Sequence, residues 1–416
     1  MIQVIAGDDE RAEYCHDPAG LCRAGIVEGF SMTSVVDSSH QRLAEFYAAH
    51  PTGGPANDTF VEILKYYFSP LEAHLASSMG FRDLEAESVI AARAGVRADE
   101  AAAALTAMAT RSWIRGLVRS DGTRVFRLLP MVPGVYEMPF YLKDRTPDLE
   151  KLGNLYDRYY REGFGHELHG GKIQIVRVLP PKDGTPQEQV TPYEDVVKVL
   201  ETHDRLYLMP CVCRLHYGRC ESSINVCISL FGPEAQAQMD SHVPVFDPAL
   251  AEIRHAIRPI SVDEGIDILS RTEREGLVHV TSNVQDEPVF ICNCCRCCCV
   301  LMRSITELTI PFGVAPSAFW MTVDQGTCDG CQDCVERCPV DALAMEKVAG
   351  HKKLKAAVNH DLCLGCGVCS FVCPTDAMSL EQRSANIFIP PLDADEMYTI
   401  IGGDRGRAWP VEPHHH

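Results

Sequence analysis

The sequence predicts an α+β multidomain chain: an N-terminal winged-helix-like module, a cysteine-rich α/β middle domain, and a C-terminal domain built on a repeated cysteine pattern. Three observations lead there. From Thr59 to about Ile114 apolar residues recur three and four apart, and a strand, an Asp121-Gly122 turn and a second strand follow. Between Met209 and Val300, ten cysteines fall in two short fields separated by a helix signal and a strand signal. In the last quarter, Cys328-Asp-Gly-Cys331-Gln-Asp-Cys334-Val-Glu-Arg-Cys338-Pro339 returns thirty-five residues later as Cys363-Leu-Gly-Cys366-Gly-Val-Cys369-Ser-Phe-Val-Cys373-Pro374.

Residues 1–56 read as a weakly structured arm, polar and punctuated by Asp17-Pro18 and Pro51-Thr-Gly-Gly-Pro55, with Cys15 and Cys22 inside it. The winged-helix-like module is expected over 57–145. Phe60, Ile63, Leu64 and Tyr67 share a helix face, and Ser69-Pro70-Leu71-Glu72 reads as a capping box that starts a second helix. A third helix ends at Gly95, a fourth runs from about Ala98, and the hairpin completes the module. Arg111, Arg115, Arg119, Arg124 and Arg127 gather at its end, which raises DNA binding. The candidate recognition helix opens with Asp99 and Glu100 and is otherwise mostly alanine, so docking or homodimerisation is the expected role and nucleic-acid binding is not expected.

The middle domain is expected over 146–320. It opens with a helix from about Asp148 to Arg161 and a strand from Lys172 to Leu179, and a second capping box at Thr191-Pro192-Tyr193-Glu194 starts a helix. Cys211, Cys213, Cys220 and Cys227 lie within seventeen positions, and Cys292, Cys294, Cys295, Cys297, Cys298 and Cys299 within eight. Ser261 caps a helix between the two fields that ends near Gly276, followed by the strand-like Leu277-Val-His-Val-Thr. Gly165-His166-Glu167-Leu168-His169-Gly170-Gly171-Lys172 satisfies neither a zincin nor a P-loop pattern.

Composition narrows the chemistry. The chain has 416 residues, 46% of them apolar, a net charge of -19 and twenty cysteines. Its first residues lack a basic start followed by an apolar run, so a cytoplasmic location is expected. The most apolar stretches, 290–302 and 308–323, are rich in cysteine or broken by Pro311, Gly313 and Pro316, so no membrane span is expected. In a reducing compartment such thiols point to metal rather than disulfides. The acidic balance suits steering toward basic patches on protein partners.

The doubled C-x-x-C-x-x-C-x-x-x-C-P spacing resembles the bacterial-type dicluster ferredoxin. The resemblance implies a ferredoxin-like domain over 321–383 with two 4Fe-4S clusters, one on Cys328, Cys331, Cys334 and Cys373 and the other on Cys363, Cys366, Cys369 and Cys338. Zinc on C-x-x-C pairs is the competing reading. From Leu206 to Glu381, the Pro210-Cys-x-Cys-Arg segment and the Cys-Asn-Cys-Cys-x-Cys-Cys-Cys run are similar to a multi-cluster 4Fe-4S protein family of anaerobic bacteria. That likeness implies one or two further iron-sulfur clusters on the ten middle cysteines and leaves the reaction open; zinc and unligated thiols are the competing readings there. Cys211, Cys213, Cys220 and Cys227 are expected to form one ligand group, with the 292–299 run supplying the second and exchange between them allowed. Arg214, Arg219, Arg296 and Arg303 flank these thiols and either offset their charge or form ordinary ion pairs. Lys347, His351, Lys352, Lys353 and Lys355 form a basic loop, read as solvated or as a docking spot, and 384–416 is expected to be an extended tail. The expected function is electron transfer with redox partner proteins. An enzyme with an open iron site and a redox-responsive regulator are the alternatives.

Overall fold

The computed structural model describes residues 38–141, 143, 146–232, 242–244, 257–383 and 389–414; Cys15 and Cys22 lie outside them. The stretch expected to be a weak arm holds a helix, α1 (Ser39–Ala49), which buries Leu43, Ala44, Phe46 and Tyr47. Its apolar positions are three and four apart, but it is short and runs into Pro51-Thr-Gly-Gly-Pro55, whose turn chemistry dominates the sequence signal. Asn57 caps α2 (Asp58–Tyr67) by accepting from Phe60 N at 3.0 Å, and the Ser69/Glu72 capping box starts α3 (Pro70–Ser77). After β1 (Glu85–Ala86), α4 (Glu87–Ala94) ends at Gly95 in the left-handed region, and α5 (Ala98–Thr110) leads into the hairpin β2 (Ile114–Arg119) and β3 (Arg124–Leu128). β1 pairs antiparallel with β3.

Two irregular turns, 131–135 and 138–141, precede α6 (Pro147–Tyr159) and α7 (Gly165–His169). β4 (Val176–Val178) is shorter than the expected strand. The helix expected from Thr191 begins later, as α8 (Val196–Glu201), because Asp195 is the cap and Glu194 is drawn into a buried ion pair with Arg177 at 2.9 Å. Glu194 also accepts from Ala318 N at 2.9 Å, so this carboxylate ties β4 to the start of the C-terminal region.

β5 (Arg205–Pro210), α9 (Val212–Tyr217), β6 (Asn225–Phe231), β7 (His242–Pro244), β8 (Arg258–Ile260), α10 (Val262–Glu275), β9 (Val278–Ser282), β10 (Phe290–Cys294) and α11 (Val300–Thr306) follow. An antiparallel sheet runs β4-β9-β10-β6-β5-β8, with α8 and α10 packed on an apolar core of Leu179, Leu200, Leu206, Ile228, Leu269 and Ile291. β7 instead pairs with β2, extending the first sheet to β1-β3-β2-β7.

The C-terminal region contains β11 (Phe319–Val323), α12 (Asp333–Arg337), β12 (Leu343–Glu346), β13 (Lys355–Val358) and β14 (Met378–Gln382), paired as β11-β14 and β12-β13. The tail expected to be extended carries α13 (Ala394–Arg405), capped by Asp393. Gly402 and Gly403 disguise it in sequence, yet a Cβ at Gly402 would press on Arg407 O at 2.6 Å, so the glycine admits the returning chain. That chain docks back on the N-terminal elements: Arg82 pairs with Asp395 at 2.7 Å, and Trp409 and Tyr398 pack on His50. Among the described residues no helix is long and apolar enough to cross a membrane.

Candidate metal centres

The eight C-terminal cysteines form two sets that cross between the repeats. Burial first, then the charge of Cys331, Cys328 and Cys373, pushes the Cys334 thiol up to about 11. Burial likewise raises Cys366 and Cys369, whose nearest charged neighbours include Cys363 and Cys338. Cys334 is also among the neighbours of Cys369, so the two sets meet at that pair. Cys331 is exposed.

Backbone repeats the symmetry of the sequence. Asp341 and Asp376 both take left-handed turns (φ 55° and 52°), and each presents the next amide to sulfur: Ala342 N donates to Cys338 Sγ at 3.2 Å and Ala377 N to Cys373 Sγ at 3.3 Å. Gly330 and Gly365 have φ of 79° and 68°, and a Cβ at either would run into a backbone carbonyl, Leu354 O or Phe319 O. Four soft donors per set, amides aimed at sulfur and glycine-lined loops fit iron-sulfur clusters. Lys355, from the basic loop, is buried and donates to Cys328 O, while Lys353 donates to Asp329 O at 3.3 Å; these two lysines brace the first cysteine loop.

The ten middle cysteines sort differently from the sequence expectation. Cys220 separates from Cys211, Cys213 and Cys227. Thiol hydrogen bonds link Cys211 to Cys213 and Cys227, Cys227 to Cys292, Cys292 to Cys294, Cys294 to Cys299, and Cys299 back to Cys213, closing a ring of six. The second set is Cys220, Cys295, Cys297 and Cys298, with all four sulfurs within 4.8 Å of one another.

Local structure explains the sorting. Ile291 lies opposite Ile228 in the β10–β6 ladder, which brings Cys292 beside Cys227, and Cys292 and Cys294 share one strand face. Past Cys294 the chain turns, sending Cys295, Cys297 and Cys298 to the other side. Cys299 then returns as the residue capping α11, as Cys211 caps α9. Neither side chain makes a capping hydrogen bond, but the backbone at the two helix starts, at Met302 and Arg214, is among the causes that lower these thiols.

Protonation alternates around the ring. Hydrogen bonds from neighbouring thiols hold Cys211, Cys292 and Cys299 below the ordinary thiol value, Cys292 at about 6, and the same bonds hold Cys213, Cys227 and Cys294 above it. In the four-thiol set, a bond from Cys298 brings Cys295 down to about 5, and burial lifts Cys297 to about 11.

Arg214 is buried, donates to Asn293 O at 3.0 Å and lies between the sets; burial opposes its charge, but Cys211, Cys227 and Cys295 favour it. Arg296, placed between Cys295 and Cys297, makes a two-pronged pair with Asp341 at 2.5 and 2.6 Å and donates to Cys338 O at 3.2 Å. Arg219 and Arg303 serve other contacts. Arg219 pairs with Glu307, and Arg303 is fully buried between Asp157 and Glu307, both at 2.7 Å, over the Tyr217 ring.

Sequence reasoning missed the opposite wall of the six-thiol chamber. Tyr136 and Glu137 lie between the two irregular turns and Tyr141 ends the second; burial lifts the Glu137 carboxyl, near Cys292, to about 8 although the residue keeps some exposed surface. No motif marks these residues. Their only signal is an acid in an apolar, aromatic run, Val135-Tyr-Glu-Met-Pro-Phe-Tyr141.

No curated protein matches the chain. Residues 327–377 match the family model of the 4Fe-4S dicluster domain, so the C-terminal region is a ferredoxin-type 4Fe-4S domain that follows a cysteine-rich region.

Proposed function

We propose that the chain is an iron-sulfur electron-transfer protein. The crossed C-terminal sets hold two 4Fe-4S clusters, the six-thiol chamber holds a further one, and a partner oxidoreductase docks near Cys331. Bound iron-sulfur clusters supply reversible one-electron transfer. The observation that carries the reading is the succession of cysteine sets. Cys331 is exposed, Cys334 and Cys369 adjoin where the two C-terminal sets meet, and Arg296 joins the Cys338 loop to the turn that separates the two middle sets. Amide-to-sulfur bonds at Cys338 and Cys373 and the buried Arg214 favour the reduced, more negative state of their sites.

The N-terminal elements fit a winged-helix-like docking or dimerisation module. Four of the five arginines that raised DNA binding are engaged within it: Arg111 with Glu72, Arg124 with Glu87, Arg119 with Leu84 O and Arg127 with Arg82 O.

Anaerobic purification, iron and sulfide analysis, and paramagnetic resonance during a redox titration test the proposal. About twelve irons per chain are expected, falling to about eight in Cys213→Ser/Cys299→Ser. About eight irons in the unaltered protein, or no potential-dependent signal, would overturn it. A second reading, an enzyme acting on a very small substrate, draws on a pocket beside the chamber. It is lined by Val132, Tyr136, Tyr160, Tyr217 and Val300 and has room for little more than one water.

A further inference from the structure

The two middle sets differ in shape as well as in number. In the ring of six each thiol interacts with two neighbours, and among the described residues the set of four is the cysteine group whose sulfurs all lie within 4.8 Å of one another. In the set of four, every pair is within that distance, and Cys220–Cys298 and Cys297–Cys298 are each 3.8 Å apart. A single tetrahedral zinc with Zn–S bonds of about 2.3 Å sets its thiolates about 3.8 Å apart. A cubane carries its thiolates on four separate irons and spreads them to roughly 6 Å. By contrast, the sulfurs of Cys338, Cys363 and Cys373 in the ferredoxin-type domain take their hydrogen bonds from backbone amides and from the Thr375 hydroxyl.

We propose that Cys220, Cys295, Cys297 and Cys298 bind one zinc ion in a tetrathiolate tetrahedron and not an iron-sulfur cluster. The ion ties the loop after α9, through Cys220, to the turn after β10. All four coordination positions are filled by the chain, as in structural zinc sites, so no open position is left for a substrate. Arg214, buried against Cys295, offsets part of the negative charge that four thiolates and one divalent cation leave. In the electron-transfer reading this site is the inert pin beside the chamber, because zinc has no accessible redox change. The inference stands without that reading, since zinc and iron are counted separately.

Metal analysis and zinc-edge X-ray absorption on the full-length protein, purified anaerobically without added metal, decide the matter. One zinc per chain with four sulfur neighbours at about 2.3 Å and no iron neighbour is expected. Cys220→Ser/Cys297→Ser should lose that zinc while iron and sulfide stay unchanged. Absence of zinc from the unaltered protein overturns the proposal, as does a loss of about one iron (a mononuclear iron site) or about four (a cubane) in the double variant. The absorption measurement needs no variant, so a folding defect in the mutant does not decide the outcome.

Discussion

The C-terminal cysteines lie on glycine-lined loops, whereas four of the middle cysteines gather with all their sulfurs within 4.8 Å of one another. The first arrangement is written in the chain as a repeated spacing, and the second is assembled by a sheet and two helix starts. The difference teaches that linear spacing reports a metal site when most ligands come from one loop. When strands and helix caps gather the ligands, only the folded separation of the sulfurs reports how many metal atoms fit among them.

Metal removal separates the two regions most strongly. The six-stranded sheet has its own apolar core of Leu179, Leu200, Leu206, Ile228, Leu269 and Ile291, while β11-β14 and β12-β13 are two-stranded ribbons around cysteine loops. Two-stranded ribbons have little independent stability. Stripping iron with a chelator should therefore abolish amide-exchange protection in β11 to β14 and leave β4, β9 and β10 largely protected. Equal loss in both would erase the distinction.

The support of the middle region can be broken at Arg303. Its guanidinium is fully buried between Asp157 and Glu307, bracing α11, which follows Cys299, against α6. Arg303→Met should cost about 3 kcal/mol in denaturant unfolding, the penalty of taking one member from a buried pair. It should also change the acid limb. Burial pushes Asp157 up, but Arg303 outweighs it and holds the group low, and Arg303 is the first cause that depresses Glu307. Depressed carboxyls contribute stability that is present above their ordinary values and is lost as pH falls through the depressed ones. The variant should therefore lose less stability than the parent between about pH 5 and pH 2; parallel acid limbs would show that the pair is not the cause.

The smallest effect is expected at the join between the regions. Arg296 and Asp341 are about half and two-thirds exposed, so Arg296→Met should cost at most about 1 kcal/mol. Of the two C-terminal cysteine sets, it removes a cation from the one that contains Cys338. One of the two C-terminal redox couples should shift to lower potential while the other stays in place, and a shift of both or neither would deny the contact its electrostatic role.

Much of this molecule was legible in its residues. The capping box at Ser69, the helix stop at Gly95, the Asp121-Gly122 hairpin and the cap at Ser261 all stand where local chemistry places them. Where tertiary demand competed, local reading failed. Glu194 left its capping box for Arg177, and α13 formed despite two adjacent glycines, of which Gly402 leaves the space that the returning chain fills. In the middle region, the alternation of Cys294 and Cys295 was readable from strand geometry, but the partner of Cys220 depends on where the loop after α9 comes to rest.

The contact between Arg296 and Asp341 has a bearing on how the chain is filled. Arg296 lies inside the turn that carries Cys295, Cys297 and Cys298, and Asp341 forms the left-handed turn that aims Ala342 N–H at Cys338. Ordering either loop positions half of the pair that orders the other. Whatever factor a filled four-thiol site adds to affinity at the Cys338 set, a filled Cys338 set must return to the four-thiol site. Filling of the two regions is then coupled, by no more than the roughly 1 kcal/mol that this exposed pair contributes.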